Sequence, residues 1–312
     1  MTELRLGHDM MPSRIRPTDA VVRERGGRGV TISVFSLKMI KPASAAELKP
    51  LHRDAIVAAL QARHASAAWL LPGVVEVVSE TCSTNTDLLA YARRMGDRTP
   101  QRSLLVTQNQ TQGRGRHGRS WDCPAGAALA LSIGLRTTRA PAALGGLTLL
   151  CGLAVKQALA QAGAKVGLKW PNDVLDLATR QKLSGVLVEL QPLGDKSVWL
   201  VIGIGINLEA APAGAAQLGQ VDDLARLITD IVMALEQRYA VFEASGFEPL
   251  IQEFNDAHLL QGEPVMLLQG EHVTLRGHFA GINASGEALI QTAEQIHLVS
   301  AGELRLRREG KA

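Results

Sequence analysis

KLSGVLVELQ (residues 182–191) and SVWLVIGIGINL (residues 197–208) are the two stretches that decide the fold. Both are largely apolar and rich in β-branched residues, which favour strands. Only a few residues separate them, as in a hairpin. They therefore predict two neighbouring central strands, around which the rest of the chain is arranged.

Further strands and helices are predicted on both sides of this hairpin. Val74–Val78, Leu104–Thr107 and ALALSIGL (128–135) have the apolar, β-rich pattern of strands. KWPND (169–173) places a tight turn after a strand, because Pro171 fixes φ. Helical spacing of apolar residues predicts helices from His52, from a cap at Ser83 or Thr84, over 141–162, over 222–243 and over 247–258. The predicted fold class is α/β (α+β) with a mixed sheet.

The C-terminal part of the chain has a different pattern. After Gly262 the apolar residues recur with a period of two, in short runs divided by Gly, Asn and Ser, which is typical of a small β-barrel. The sequence therefore predicts an α/β domain over residues 65–260 and a barrel over residues 262–312. Residues 1–50 are predicted to be a disordered extension with one β-like run at Val30–Phe35.

Composition narrows the class of protein and its partners. Of the 312 residues 46% are hydrophobic and 20% are charged, which suits a soluble globular protein. The net charge of +3 gives no global basic field, so no nucleic-acid partner is expected. Cys82, Cys123 and Cys151 lie far apart, which favours a reducing cytoplasm over zinc or disulfides. No apolar run reaches the roughly 18–20 residues of a membrane span, so no membrane association is expected.

GRGRHGRSW (113–121) is the most conspicuous loop of the sequence. Its glycines let backbone N–H groups curl around an anion, and its arginines are permanently charged donors. The loop also fits the dinucleotide fingerprint G-x-G-x-x-G and nearly fits a P-loop. Both of those motifs need a helix after the glycines. Here a strand follows, so the loop is interpreted as a cover over a phosphate or carboxylate; a solvated basic loop or an RNA contact is the alternative.

Polar residues stand at the ends of several otherwise apolar strands. They are Ser83–Asn85, Gln110, Asn172, Lys182 and Asn207. A lysine that opens a strand usually caps an edge. Beside an anion-binding loop, Lys182 becomes a candidate to stabilise a developing phosphate charge.

Five co-linear motifs give the chain a specific resemblance. They are STN (83–85), QxxGRGRxGRxW (110–121), KWPND (169–173), KLSGVLVE (182–189) and GIGIN (203–207). In order and spacing they resemble the biotin–protein ligases from about Val74 to Arg308. The resemblance is to the monofunctional type that lacks a DNA-binding domain, since no three amphipathic helices of a winged helix are found before residue 70. It further implies that the C-terminal barrel is SH3-like.

The resemblance implies a two-step reaction. Biotin and MgATP give biotinyl-5′-AMP, and a lysine of the biotin carboxyl carrier protein of acetyl-CoA carboxylase then attacks this adenylate. Ser83, Thr84, Asn85 and Gln110 are implied to bind the ureido ring of biotin, whereas Arg114, Gly115 and Arg116 hold its carboxylate. Lys182, with Arg116, is implied to carry the catalysis. Gly113, Trp121, Lys169, Asn172, Asn207 and Arg307 are implied to contact ATP, and Asp173 either holds Mg²⁺ or shapes its turn.

Two alternatives stay open from the sequence. One is a bifunctional ligase that is also a DNA-binding biotin repressor, and the other is a lipoate-ligase-like acyl transferase. The sequence leaves homodimerisation through exposed sheet edges open and identifies no base for the acceptor lysine.

Overall fold

The computed structural model describes residues 18–20, 32–34, 51–63, 74–122, 124–301 and 304–309. Its helices are α1 (Arg53–Arg63), α2 (Thr84–Met95), α3 (Leu147–Gln161), α4 (Leu224–Ser245) and α5 (Ile251–Ala257). Its strands are β1 (Thr18–Ala20), β2 (Ile32–Val34), β3 (Val74–Val77), β4 (Arg102–Thr107), β5 (Ala128–Thr137), β6 (Val166–Lys169), β7 (Asp173–Asp176), β8 (Lys182–Pro192), β9 (Val198–Asn207), β10 (Pro264–Gln269), β11 (His272–Ile282), β12 (Ala288–Gln291), β13 (Ile296–Val299) and β14 (Leu304–Arg308).

The chain divides into two units, Met1–Lys41 and Pro42–Ala312. In the first unit β1 and β2 pair antiparallel, and β2 falls within the β-like run predicted at Val30–Phe35. The rest of the predicted extension, residues 1–50, lies outside the described residues.

A seven-stranded mixed sheet organises the larger unit, in the order β3-β4-β5-β9-β8-β7-β6. Only β3 and β4 run parallel; the other neighbours are antiparallel. The predicted hairpin is β8–β9, which pairs from Ser184↔Ile206 to Pro192↔Val198. Since β9 also pairs along its whole length with β5, the hairpin is central, as its β-branched composition predicts.

Alternation along β9 assigns its two faces. Its even-numbered residues, from Val198 to Ile206, join the large core that also holds the buried residues of α3 and α4. On the opposite face Trp199 and Val201 pack with the apolar side of α2. The next two positions on that face are Gly203 and Gly205, so the side chains that would continue the contact are missing.

Helix α2 begins beside those glycines. Ser83 is its N-cap and its side chain accepts a hydrogen bond from the N–H of Thr86, as predicted from the STN motif. Asp87 in the first turn and Arg93 and Arg94 in the last turn have the signs that complement the helix dipole.

Two predicted helices are shorter than expected. The helix predicted over 141–162 divides into a 3-10 turn, Pro141–Leu144, and α3, because Gly145 and Gly146 lie against Ser285 and Phe247. A Cβ on Gly146 would lie 2.4 Å from Phe247 Cγ. The helix predicted over 247–258 likewise begins as a 3-10 turn and becomes α5 at Ile251.

The segment Pro141–Gln161 is long and apolar enough to cross a membrane, but it is mostly buried within the protein, as in a core helix.

The C-terminal strands form a five-stranded antiparallel sheet in the order β13-β12-β11-β10-β14. The predicted period of two is confirmed, with Val265, Leu267, Phe279 and Ile290 buried on one face. Closure into a barrel is not seen. β13 and β14 lie at opposite edges, and no pairing joins them within the residues that the structure describes.

His258 connects this sheet to the central one. Its Nε2 accepts from the backbone N–H of Trp170 at 2.9 Å, and its ring stacks on Phe279 with a centroid distance of 3.9 Å. The N–H of Leu259 donates to the carbonyl of Leu168, which covers the β6 edge. Burial, with the nearby charge of Lys169, lowers the pKa of His258 to about 3, so the imidazole is neutral in the folded protein.

This burial makes stability depend on pH. Below pH 6.5 His258 is protonated in the unfolded chain but not in the folded chain. Protonation therefore favours the unfolded chain, and the stability that the neutral His258 contributes is fully present above pH 6.5 and is lost as the pH falls. We expect the free energy of unfolding to fall by up to roughly 1.4 kcal/mol per pH unit from this group between pH 6 and 4. His258→Gln keeps an acceptor for Trp170 and should show a flatter profile in urea unfolding at pH 7, 6 and 5. Parallel profiles for the two proteins would contradict the assignment.

Candidate functional site

A cavity of about 60 Å³ lies where the glycines interrupt the face of the sheet. Its floor is made of small residues from three adjacent strands, since Gly205 of β9 pairs with both Ala130 of β5 and Gly185 of β8. Gly203 extends the floor by one row. The cavity is lined by Ser83, Thr84, Asn85, Gln110, Arg114, Gly115, Arg116, Trp121, Ala130, Asn172, Lys182, Gly185, Val186, Leu187, Gly203, Ile204 and Gly205.

Residues 113–121 form a small closed loop over this floor. The N–H of Trp121 donates to the carbonyl of Gly113 at 2.8 Å, and that of Gly115 to the carbonyl of Arg119 at 2.7 Å. The chain reverses at His117 and Gly118, whose φ values are 59° and 69°. The next regular element is the strand β5, so no helix N-terminus follows the glycines and the dinucleotide and P-loop interpretations do not apply.

Trp121 holds the loop against the floor. A Cβ placed on Gly205 would lie 2.5 Å from Trp121 Cε2, so this contact requires glycine. Lys182 Nζ lies 5.2 Å from the centre of the ring, within cation–π range. The indole N–H is buried and has no hydrogen-bond acceptor among the described residues, which leaves a donor available to a ligand.

A buried polar network fills one end of the cavity. The N–H of Thr84 donates to Gln110 Oε1 at 2.8 Å, and the hydroxyl of Thr84 lies 3.1 Å from the same oxygen. The hydroxyl of Ser132 lies 2.7 Å from Thr84 Oγ1 and 2.6 Å from Asn85 Oδ1. Asn85 Nδ2 in turn donates to the carbonyl of Leu187 and to Glu189 Oε2, at 3.2 and 2.8 Å. Donors and acceptors therefore converge here in a dry environment.

Cationic groups gather at the loop side of the cavity. Arg114 pairs with Glu189, and Arg116 donates to the backbone carbonyl of Ala301. Burial lowers the pKa of Arg116, an effect that Asp173 opposes and Arg119 reinforces.

Asp173 is a carboxylate that interacts with several cations of this region. Lys182 Nζ lies 2.6 Å from its Oδ1. Burial lowers the pKa of Lys169; Asp173 opposes the shift, whereas Arg307, Lys182 and Arg119 add to it. These mutual effects place Lys169, Lys182, Arg119 and Arg307 in one positive region, which favours an anionic ligand.

The structure brings together most of the residues predicted for the site. Ser83, Thr84, Asn85, Gln110, Arg114, Gly115, Arg116, Trp121, Asn172 and Lys182 all line the cavity. Four further predicted residues lie outside this lining and affect it through contacts or charge: Gly113, Lys169, Asp173 and Arg307. Asn207 is separate, because its Nδ2 donates to the carbonyls of Ala216 and Lys182 and thereby fixes the following loop.

Two participants were missed from the sequence. Ser132 and Glu189 belong to strands β5 and β8 and complete the polar network. A signal was present for both: each is a polar residue at a position where the alternation directs it to the α2 face. The same alternation would have shown that Gly203 and Gly205 share that face.

Comparison with known proteins gives one consistent family. Residues 77–207 match the model of the "Biotin/lipoate A/B protein ligase family". The chain is 34% identical over 250 residues to the "Bifunctional ligase/repressor BirA" of Escherichia coli, covering 75% of this chain and 74% of that protein. It is 41% identical over 170 residues to the "Biotin--[acetyl-CoA-carboxylase] ligase" of Mycobacterium tuberculosis, covering 53% of this chain and 58% of that protein.

A solved structure agrees with these relatives. The biotin protein ligase of Aquifex aeolicus in complex with biotin and ATP superposes with a TM-score of 0.64 at 29% identity. The match covers 76% of this chain and 99% of that one.

Gly205→Ala tests the packing of the cavity. We expect the added Cβ to displace the indole of Trp121, at a cost of about 1–3 kcal/mol in the free energy of unfolding. The displaced indole should red-shift the tryptophan emission, and the shift should vanish in a Trp121→Phe background. Gly152→Ala is the control, since a Cβ there lies at an ordinary 3.6 Å from Leu168. An unshifted emission spectrum in Gly205→Ala would show that Trp121 does not occupy this position.

Proposed function

We propose, from the premise that this chain belongs to the biotin protein ligases, that it joins biotin to a lysine of a biotin carboxyl carrier protein through biotinyl-5′-AMP and consumes ATP. The observation that carries this proposal is the polarity of the cavity. A network of mainly uncharged polar groups lies at one end, Arg116 and Lys182 lie toward the other, and glycines make the floor between them. Biotin has the same order of groups: a ureido ring, an apolar body and tail, and a carboxylate.

The polar end suits the ureido ring, which both donates and accepts hydrogen bonds. We propose that Ser83, Thr84, Asn85 and Gln110 bind it. They are buried or half-buried beside the cavity, and Gln110 Oε1 already accepts from Thr84, which fixes the orientation of its amide. Ser132 supports the same groups from β5.

The cationic end suits the carboxylate and the phosphate that joins it. We propose that Arg114, Gly115 and Arg116 hold the carboxylate, through guanidinium donors and through the N–H of Gly115 once it exchanges the carbonyl of Arg119 for the ligand. Charge-assisted hydrogen bonds of this kind contribute roughly 1.5–3 kcal/mol each. Lys182, which lines the cavity beside them, is proposed to lie between the carboxylate and the α-phosphate.

The nucleotide is proposed to lie beyond Lys182. Trp121 offers an aromatic face for adenine, and Lys169, Asn172 and Arg307 offer polar or positive groups for the phosphates and ribose. Gly113 lets the loop close, since a Cβ on it would lie 2.3 Å from the carbonyl of Trp121. Asn207 is proposed to serve the nucleotide site indirectly, because its amide donor already holds backbone carbonyls.

Magnesium is proposed to accompany ATP. No cluster of three or more His, Cys, Asp or Glu side chains that could hold a metal is present in the described residues. Asp173, a carboxylate that lies behind the cavity lining and pairs with Lys182, suits an ion held largely by phosphates and water. Such an ion would offset negative charge on the phosphates.

The proposed chemistry needs no covalent bond to the enzyme. A carboxylate oxygen of biotin attacks the α-phosphorus of ATP and pyrophosphate leaves. The neutral amine of the carrier lysine then attacks the carbonyl carbon of the mixed anhydride, AMP leaves with the bonding electron pair, and the new amide nitrogen releases a proton to solvent. The residues of this chain bring two anions together, stabilise the charge that develops, and keep water from the anhydride.

We also propose the domain organisation, location and oligomeric state of the protein. The domain boundaries 65–260 and 262–312, and an SH3-like character for the C-terminal sheet, are supported by its five short antiparallel strands. A cytoplasmic location, the absence of a nucleic-acid partner and a homodimer are retained as hypotheses. The bifunctional repressor and the lipoate-ligase-like transferase are the alternatives. The two-ended cavity favours biotin over lipoate, whereas the repressor alternative differs from the proposed function in DNA binding.

Release of pyrophosphate tests the proposal directly. We expect it to require both biotin and ATP, and biotin transfer to require a carrier domain with its lysine. Lipoate should not replace biotin. Activity with lipoate alone would favour the acyl-transferase alternative, and a gel shift with the promoter region of biotin genes would favour the repressor.

Lys182→Ala tests the role of the lysine. We expect adenylate formation to fall by roughly 10²–10³, since a donor to developing charge is removed. The Kd for biotin in calorimetry should change little by comparison. Lys165→Ala, an exposed lysine just before β6, is the matched control and should behave as wild type. Equal losses in biotin binding and adenylate formation would reject a transition-state role.

A further inference from the structure

We propose that Glu189 is a positioning residue that couples the loop 113–121 to the polar end of the cavity. This inference rests on the proposed function and assigns a role to a residue that does not itself line the cavity.

The carboxylate of Glu189 is a junction between two distant parts of the chain. Strand β8 directs it to the α2 face, two positions beyond Leu187, and its side chain is only 23% exposed. It pairs with Arg114 of the loop and accepts from Asn85 Nδ2, at the start of α2, at 2.8 Å. One carboxylate therefore fixes both the cover of the cavity and one residue of its polar end.

The contact determines which way the amide of Asn85 points. Its two N–H donors are directed to the carbonyl of Leu187 and to Glu189, so its Oδ1 must face the hydroxyl of Ser132. A reversed amide would place its oxygen against two acceptors. Because Ser132 also contacts Thr84, the negative charge of Glu189 sets the direction of hydrogen bonding through the whole network.

The contact with Arg114 has a different consequence. Arg114 lies on a loop with Arg116 and Arg119, and Lys182 stands across the cavity, so like charges oppose closure. Glu189 offsets one of these charges and holds the loop to β8. Both partners keep some solvent exposure, 43% and 23%, so solvent screens the pair and its contribution is small. We therefore expect loss of this ion pair to make release of biotinyl-5′-AMP moderately faster without abolishing its retention.

Gln191 provides a matched comparison. It lies on the same face of β8, two residues further on, and its Oε1 accepts from Arg93 of α2 at 3.4 Å. Gln191→Ala therefore removes a contact between β8 and α2 without touching the loop or Asn85. A residue that only holds α2 on the sheet would give the same result as Gln191.

The experiment compares Glu189→Gln, Glu189→Ala and Gln191→Ala in the full chain. The Kd for biotin is measured by calorimetry, and release of preformed biotinyl-5′-AMP is followed at 50 and 300 mM salt. Glu189→Gln keeps an acceptor for Asn85, so we expect a Kd for biotin within about threefold of wild type. It loses the ion pair, so we expect adenylate release to be about fivefold faster at low salt, the equivalent of about 1 kcal/mol, and less sensitive to salt. Glu189→Ala should also weaken biotin binding, by about tenfold.

The possible outcomes distinguish failure of this inference from failure of the proposed function. Adenylate release from Glu189→Gln at the wild-type rate, or equal effects of Glu189→Ala and Gln191→Ala, would overturn the coupling while the wild-type enzyme still makes adenylate. If the wild-type chain forms no biotinyl-5′-AMP, the proposed function fails and this inference fails with it. Urea unfolding of each variant shows whether a loss reflects misfolding, and Glu189→Gln, which preserves shape, then decides the question.

Discussion

The absence of side chains at two positions of β9 is the constraint on which the rest of the site depends. Trp199 and Val201 fill the space under α2, and on the same face Gly203 and Gly205 then leave room for Asn85 and the indole of Trp121. The opposite face of the strand stays apolar throughout, so the sheet remains anchored to its core. A cavity is thus obtained on a rigid central strand with no irregular backbone, which keeps the groups around it in fixed places.

The arrangement of charged groups around the loop is the second constraint on the site. The loop and its surroundings carry Arg114, Arg116, Arg119, Lys169 and Lys182, and burial lowers the pKa of Lys169 and of Arg116. Two carboxylates limit the repulsion. Asp173 pairs with Lys182 and Glu189 pairs with Arg114, so each half of the cationic region has one anion. The cations that remain favour an anionic ligand, whereas the two ion pairs reduce the repulsion between the cations.

Local pattern was sufficient for most of the fold and for much of the site. β-branched runs located the hairpin β8–β9, and the STN motif located the cap of α2. The pair Gly145–Gly146 was a local signal for the split of the helix predicted from residue 141, but the packing that uses it involves Ser285 and Phe247, more than 100 residues away. Ser132 and Glu189 had a local signal in the alternation of their strands, but their partners became clear only from the neighbours across the sheet. Asn207 stands at a strand end as predicted, yet its donor is used to hold the next loop.

The contact between Arg116 and Ala301 links the loop to the C-terminal sheet through a main-chain atom. Every amino acid supplies a carbonyl, so the side chain at position 301 can vary in related sequences while the contact persists. What cannot vary is the spacing that brings this carbonyl to the loop. Selection at this point therefore acts on insertions and deletions in the segment after β13. A comparison of substitutions alone would therefore not detect this contact between the loop and the C-terminal sheet.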